Sequence, residues 1–270
     1  MPLDIIKEIS KIKEFYASRG VGKKFNAIIY GDKGSGKTRI LKTARKPVFV
    51  DSFDPGGALV LRDEIEAGTI IVDTKWEIED PSKPTTFAEW DRVWHERRKE
   101  GFFDYFATYA LDSMTTWSIC AMNEVLRKRG RAGSTPQTGA GNDNDYVLQM
   151  LYIENALAGM FSLPCDLIVT AHPDADKDET TGKIFVGPLI TGKAKLRIPL
   201  LFDELYYAKS EATKDSVKYS LLTKLTSTFK ASSRLSDKGQ LDMYEDPDIK
   251  LILKKCGLPY QDKEIPWLKK

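Results

Sequence analysis

Cysteine and histidine are scarce in this chain. Among 270 residues there are three cysteines and two histidines. Cys120, Cys165 and Cys256 lie far apart, are odd in number and form no Cys-x-x-Cys pair. That argues against a disulfide framework and against a zinc site. Cys120 and Cys165 sit in apolar company and read as small core residues. Long apolar runs are missing too; none approaches the ~20 residues needed to span a bilayer. The opening Met1-Pro2-Leu3-Asp4 lacks the charged-then-apolar pattern of a secretory leader. A soluble, cytoplasmic protein with no membrane partner is expected. Charge of one sign is also lacking: 41 Lys and Arg face 39 Asp and Glu, a formal charge of +2. Binding nucleic acid through a global basic field would need a more lopsided balance, so basic patches must be local. No internal repeat is visible.

What is present suits a packed domain. Hydrophobic residues make up 41% and charged residues 30%, enough for a core and against wholesale disorder. The length fits one large domain with small extensions. Ile5, Ile9, Ile12 and Tyr16 recur at helical spacing, which predicts an amphipathic helix over 3–18. Apolar runs at 25–30, 47–51, 69–73, 106–111 and 167–171 predict buried strands. Helices are expected at 38–44, 87–100, 115–129 and 146–161. The Gly- and Asn-rich stretch 130–145 and the polar stretch 173–183 read as loops. Residues 203–208 and 216–225 alternate like antiparallel strands, and 247–270 mixes a short helix with an extended tail. Strands alternating with helices imply an α/β fold with a largely parallel sheet flanked by helices.

The most informative segment is Gly31-Asp32-Lys33-Gly34-Ser35-Gly36-Lys37-Thr38, a full match to GxxxxGK[ST]. It follows an apolar strand and precedes a helix, the context in which such a loop cradles phosphates. Glycines let backbone amides turn toward anionic oxygens, and the helix start adds its free amides, Arg39 among them. Lys37 is placed to reach the terminal phosphates. The Thr38 hydroxyl suits Mg2+. A second metal-side residue is Asp112, which ends the strand Tyr105–Leu111; its alternative role is to cap the next helix. Two strands stand between the phosphate-loop strand and the Asp112 strand, which favours ATPases with an inserted strand over simple kinases. No NKxD guanine-reading tetrapeptide occurs, so ATP is preferred.

A water-activating carboxylate is sought in Asp51-Ser52-Phe53-Asp54-Pro55-Gly56-Gly57. Asp54 is the first choice and Asp51 the second; shaping the Pro-Gly-Gly turn is the alternative for both. His172, after Leu167–Ala171, is placed to sense the γ-phosphate, or else simply caps a loop. His95 reads as a solvated surface residue.

The order of these pieces, ending in Phe202-Asp203-Glu204-Leu205, resembles the RecA-like core of recombinases. It looks closest to the small phage-encoded ATPases of recombination and single-strand annealing. The resemblance implies a RecA-like core over 23–235, which leaves the N-terminal helix (1–22) before it and a C-terminal extension (236–270) after it. It also implies a homo-oligomer with the ATP site at the subunit interface, completed by a basic residue from the neighbour; Lys230 and Arg234 match that place. It implies two loops facing single-stranded DNA, with Arg127, Lys128, Arg129 and Arg131 in the first and Lys193 and Lys195 in the second. The second loop is also rich in acidic residues and offers one aromatic, Phe185. For a phage-encoded chain the cytoplasm is the host's. The glutamate usual in this family is replaced here by aspartate, so slow hydrolysis is expected. Two functions follow: an ATPase acting on single-stranded DNA, or a nucleotide-gated binding module with little turnover.

Overall fold

A computed structural model describes residues 4–18, 24–133, 142–177, 179, 182–191, 194–214 and 216–268. The first helix, α1 (Ile5–Ser18), buries none of its described side chains; Ile5, Ile6 and Ile12 are more than half exposed. The chain then enters β1 (Asn26–Tyr30), a short 3-10 helix (Arg39–Thr43) and β2 (Val48–Ser52). A second 3-10 turn and α2 (Arg62–Glu66) lead to β3 (Ile70–Asp73), and α3 (Thr86–Lys99) to β4 (Thr108–Asp112). Two helices, α4 (Met114–Lys128) and α5 (Asp143–Phe161), precede β5 (Asp166–Ala171). The polar stretch 173–183, expected to be a loop, instead opens with a strand, β6 (Pro173–Lys177), which pairs with β7 (Ile184–Pro188) just beyond it. Then come α6 (Ala194–Arg197), β8 (Glu204–Ala212), β9 (Val217–Leu222), the two-residue strands β10 (Ser232–Ser233) and β11 (Tyr244–Glu245), and α7 (Ile249–Lys255).

Nine strands among the described residues form one sheet in the order β11-β9-β8-β1-β5-β4-β2-β3, with β10 also on β8. The run from β8 to β3 is parallel; β9, β10 and β11 add an antiparallel margin. The inserted strand is therefore β5. It lies between β1 and β4, whereas the two strands that intervene along the chain, β2 and β3, continue the sheet beyond β4. Sequence order does not equal sheet order, because each crossover helix lets the next parallel strand skip a neighbour.

Strand periodicity sorts the core into two faces. Ile28 and Tyr30 point into an aromatic layer with Trp90, Trp94 and Trp117 from α3 and α4. Ala27 and Ile29 point the other way, against Ile40, Leu41, Ile252 and Leu253. Each fully buried Ile or Leu there contributes about 1.5–3 kcal/mol. Helix α7 thus packs beneath the segment that follows the glycine-rich loop, and the Thr43 hydroxyl accepts from the Ile249 amide at 3.0 Å. Among the described residues no helix is long and apolar enough to cross a membrane.

Candidate nucleotide site

Parallel pairing brings the carboxyl ends of β1, β2, β4 and β5 to one edge, where such sheets gather ligand-binding groups. The glycine-rich loop leaves β1 there, Asp54 follows β2, Asp112 closes β4 and His172 follows β5. The loop's glycines are sterically required. Gly36 has φ 90°, a region side chains disfavour. A Cβ on Gly31 would run into the Ala208 carbonyl oxygen on β8. The helix expected after the loop is only the five-residue 3-10 turn, too short for a large aligned dipole. Anion affinity at the loop therefore rests on its turned amides and on Lys37.

Lys37 is buried, and its ammonium donates to the loop's own carbonyls, Gly31 at 2.7 Å and Asp32 at 2.8 Å. Burial lowers its pKa, opposed by the charges of Asp112, Asp54 and Asp32. The Ser35 hydroxyl is buried without a partner. A phosphate in the loop supplies acceptors for both groups, so the donors fit it. Asp32 accepts from the Tyr207 hydroxyl at 3.0 Å, while Lys33 and Gly34 are exposed.

Thr38 donates to Asp112 Oδ2 at 2.7 Å, joining the two expected magnesium-side groups directly. The other oxygen of Asp112 accepts from Thr170 on β5. Burial raises the Asp112 pKa, against the lowering effect of these two hydroxyls. Thr38 and Asp112 are the kind of donor pair that suits magnesium, which takes one or two protein ligands together with phosphate oxygens and water.

Asp54 sits in the turn beyond β2, at the same edge. Its Oδ1 accepts from Ser113 at 2.9 Å and from Thr116, both at the start of α4. Its Oδ2 faces His172 Nε2 at 3.1 Å. The His172 amide donates to Thr115 at 3.0 Å, and its carbonyl accepts from Leu189 just past β7. The residues chosen as base and sensor are thus hydrogen-bonded to each other.

Asp51 is a correction. It points into the core, fully buried, and accepts from Trp76 at 3.1 Å, Trp90 at 2.9 Å, Tyr109 at 2.7 Å and Arg97 at 3.4 Å. Burial pushes its pKa up to about 6 despite these donors. It braces the aromatic layer and meets no solvent, so it does not activate water. One strand position separates the two fates: Ser52, its neighbour on β2, faces the site edge.

Sequence reasoning missed Glu77, from the short turn after β3. Its Oε1 accepts from Ser52 at 2.7 Å and its Oε2 from the Gly56 amide at 3.0 Å. It clasps both ends of the turn that presents Asp54. No motif marks it, because the contact spans 25 residues and exists only once β3 lies beside β2. Thr170 and Thr116 were missed for the same reason.

The expected DNA-facing cations meet carboxylates within the chain. Arg127 pairs with Glu124 at 2.7 Å, and Lys128 with the same Glu124 at 3.4 Å. Arg129 and Arg131 both pair with Asp145, at 3.0 and 2.6 Å. Lys195 pairs with Asp176. Lys193 and the loop centre, 134–141, lie outside the described residues. Lys230 leans toward the Phe185 ring, 5.9 Å from its centroid. Arg234 pairs with Asp203 at 3.3 Å, at the amino end of β8, the sheet edge opposite its own chain's phosphate loop.

The fold and the loop define a P-loop nucleotide-binding protein of the inserted-strand class. A family model described as an AAA domain matches residues 23–235. The chain belongs to that AAA-domain family and carries its nucleotide-binding ATPase domain. No curated protein matches the sequence. Among solved structures, the flagellar accessory protein FlaH of Methanocaldococcus jannaschii is 13% identical with TM-score 0.42, over 82% of this chain and 83% of that one. A KaiC-like protein of Pyrococcus horikoshii is 11% identical with TM-score 0.37, over 73% and 77%.

Proposed function

We propose that the chain binds ATP with Mg2+ and hydrolyses it, and that it acts on single-stranded DNA in recombination or annealing. One observation supports the chemistry: Lys37, Thr38, Asp112 and the Asp54–His172 pair converge at one sheet edge. In this reading Lys37 and the loop amides bind the phosphates. Thr38 and Asp112 hold the metal, which supplies charge neutralisation at the phosphates. Asp54 orients and deprotonates water, and His172 fixes its carboxylate. A neighbouring subunit's Lys230 or Arg234 stabilises charge on the transferred phosphoryl group. The DNA part rests on the glycine-rich loop between α4 and α5 and on its basic flank, whose ion pairs with Glu124 and Asp145 must open to free cations for a phosphate backbone.

A second reading, a nucleotide-gated binding module with little turnover, is favoured by one detail. Both oxygens of Asp54 are already engaged by Ser113, Thr116 and His172. ATP turnover with and without single-stranded DNA, at two salt concentrations, separates the two. DNA-stimulated turnover that weakens with salt supports the first reading. ATP binding with no turnover in either condition supports the second.

A further inference from the structure

Beside the phosphate loop lies a second recess that the phosphate chemistry leaves unused. The loop edge itself opens on a cavity of about 240 Å³, bounded by Gly36, Lys37, Thr38 and Tyr219. Next to it is a cavity of about 190 Å³, lined by Arg39, Ile40, Thr43, Tyr219 and Pro247. The two share Gly36, Arg39 and Tyr219. Tyr219 comes from β9, on the antiparallel margin. Its ring lies over the loop: a Cβ on Gly36 would sit 3.0 Å from the ring's Cδ1. The Arg39 guanidinium stands 5.4 Å from the same ring's centroid.

The far wall is held in place. Pro247 precedes α7, whose Ile249, Ile252 and Leu253 are buried against Ile40 and Leu41. The Ile249 amide is tied to Thr43. Pro247 lies beyond the residues that the AAA-domain family match covers, so the extension builds one wall of the recess.

We propose that this recess takes the nucleobase of the bound nucleotide, stacked on Tyr219 with Arg39 and Pro247 as flanks. The proposal rests on the nucleotide-binding reading of the loop. A triphosphate seated on Lys37 leaves its nucleoside end to emerge past Gly36 and Arg39, which both cavities share. The walls there are a ring, a proline and an aliphatic side chain, which suit the face of a planar heterocycle. Of the polar groups at hand, the Thr43 hydroxyl donates to the Ile40 carbonyl at 2.7 Å, Lys42 pairs with Glu64 at 3.0 Å, and the Arg39 guanidinium stands over the face of the Tyr219 ring. The recess therefore reads the base's flat face rather than its hydrogen-bonding edge. The consequence for specificity is weak discrimination between adenine and guanine, in contrast to a site built on edge contacts.

The test compares ATP, GTP and inorganic tripolyphosphate by calorimetry, with magnesium, on the wild type, Tyr219→Leu and Tyr219→Phe. Stacking of a base on an aromatic ring corresponds to roughly 5- to 150-fold in affinity. The expected result is that Tyr219→Leu weakens ATP and GTP alike by about ten-fold or more and leaves tripolyphosphate unchanged. Tyr219→Phe should keep wild-type affinity for all three. Equal weakening of tripolyphosphate, or no weakening of ATP, overturns the base site while the phosphate loop stands. A wild type that binds neither ATP nor tripolyphosphate overturns the nucleotide reading, and the base site with it.

Discussion

Two aspartates three positions apart, Asp51 and Asp54, show how little separates a core brace from a site residue. Asp51 faces Trp76, Trp90 and Tyr109; Asp54, just past the strand, faces the helix start at Ser113 and His172. Asp51→Ala would strand two indole donors and a phenol in the core. It should cost about 3 kcal/mol, seen as a midpoint drop of roughly 5–10 °C in thermal unfolding. Asp54→Asn should leave that midpoint unchanged and lower kcat for ATP about 100-fold with little change in KM, the loss typical of a missing general base. The pH dependence of stability separates them as well. The folded-state pKa of Asp51 is raised from 3.8 to about 6. The folded protein thus holds a proton there that the unfolded chain has released. This group's contribution therefore falls as pH rises from about 4 to 6. Asp51→Asn should remove that component when urea midpoints are compared across the same window. From sequence the two aspartates differed only in rank, Asp54 before Asp51, since both precede the same Pro-Gly-Gly turn. Glu77 was invisible for a different reason, because its partners Ser52 and Gly56 meet it only through the β2–β3 pairing.

At the level of elements, the strongly apolar strands and the amphipathic α3, α4 and α5 were legible, because each buries a continuous face. The hairpin β6–β7 was not. Its first strand, Pro173–Lys177, alternates charged residues at half-exposed positions, and the short apolar second strand, Ile184–Pro188, pairs with it, so no buried apolar run marks the pair. The turn after the phosphate loop was misjudged in kind, since Ile40 and Leu41 bury in the core without completing an α-helical turn pattern. Two predictions belong here. Helix α1 buries none of its described side chains, so deleting residues 1–22 should leave the thermal midpoint of the remaining chain within a degree or two. Sedimentation of the same truncation tests assembly through its exposed Ile5, Ile9 and Ile12; a homo-oligomer built on that face should fall to monomer. Helix α7 is the opposite case. Ile252→Ala removes a fully buried side chain beneath Ile40 and Leu41 and should cost about 2–5 kcal/mol in chemical denaturation.

The whole molecule is a parallel sheet whose carboxyl edge gathers the loop, Asp54, Asp112 and His172, extended by an antiparallel margin that brings Tyr219 over Gly36. The class of this sheet was readable from the motif order, while the identity of the inserted strand was not: β5 follows β4 in sequence yet pairs between β1 and β4, and it carries Thr170 and His172 into the site. Charge at this scale is balanced, and the basic flank after α4 is internally paired. Any affinity for single-stranded DNA should therefore be modest and should fall steeply between low and physiological salt. The central claim is that the loop at 31–38 binds the phosphates of a nucleotide through Lys37. Calorimetric titration of magnesium-ATP into the wild type and into Lys37→Ala tests it most directly, with matched thermal midpoints as the folding control. The expected result is saturable one-site binding to the wild type and at least a ten-fold loss in Lys37→Ala. Equal affinity in the two folded proteins, or no binding to the wild type, would contradict it.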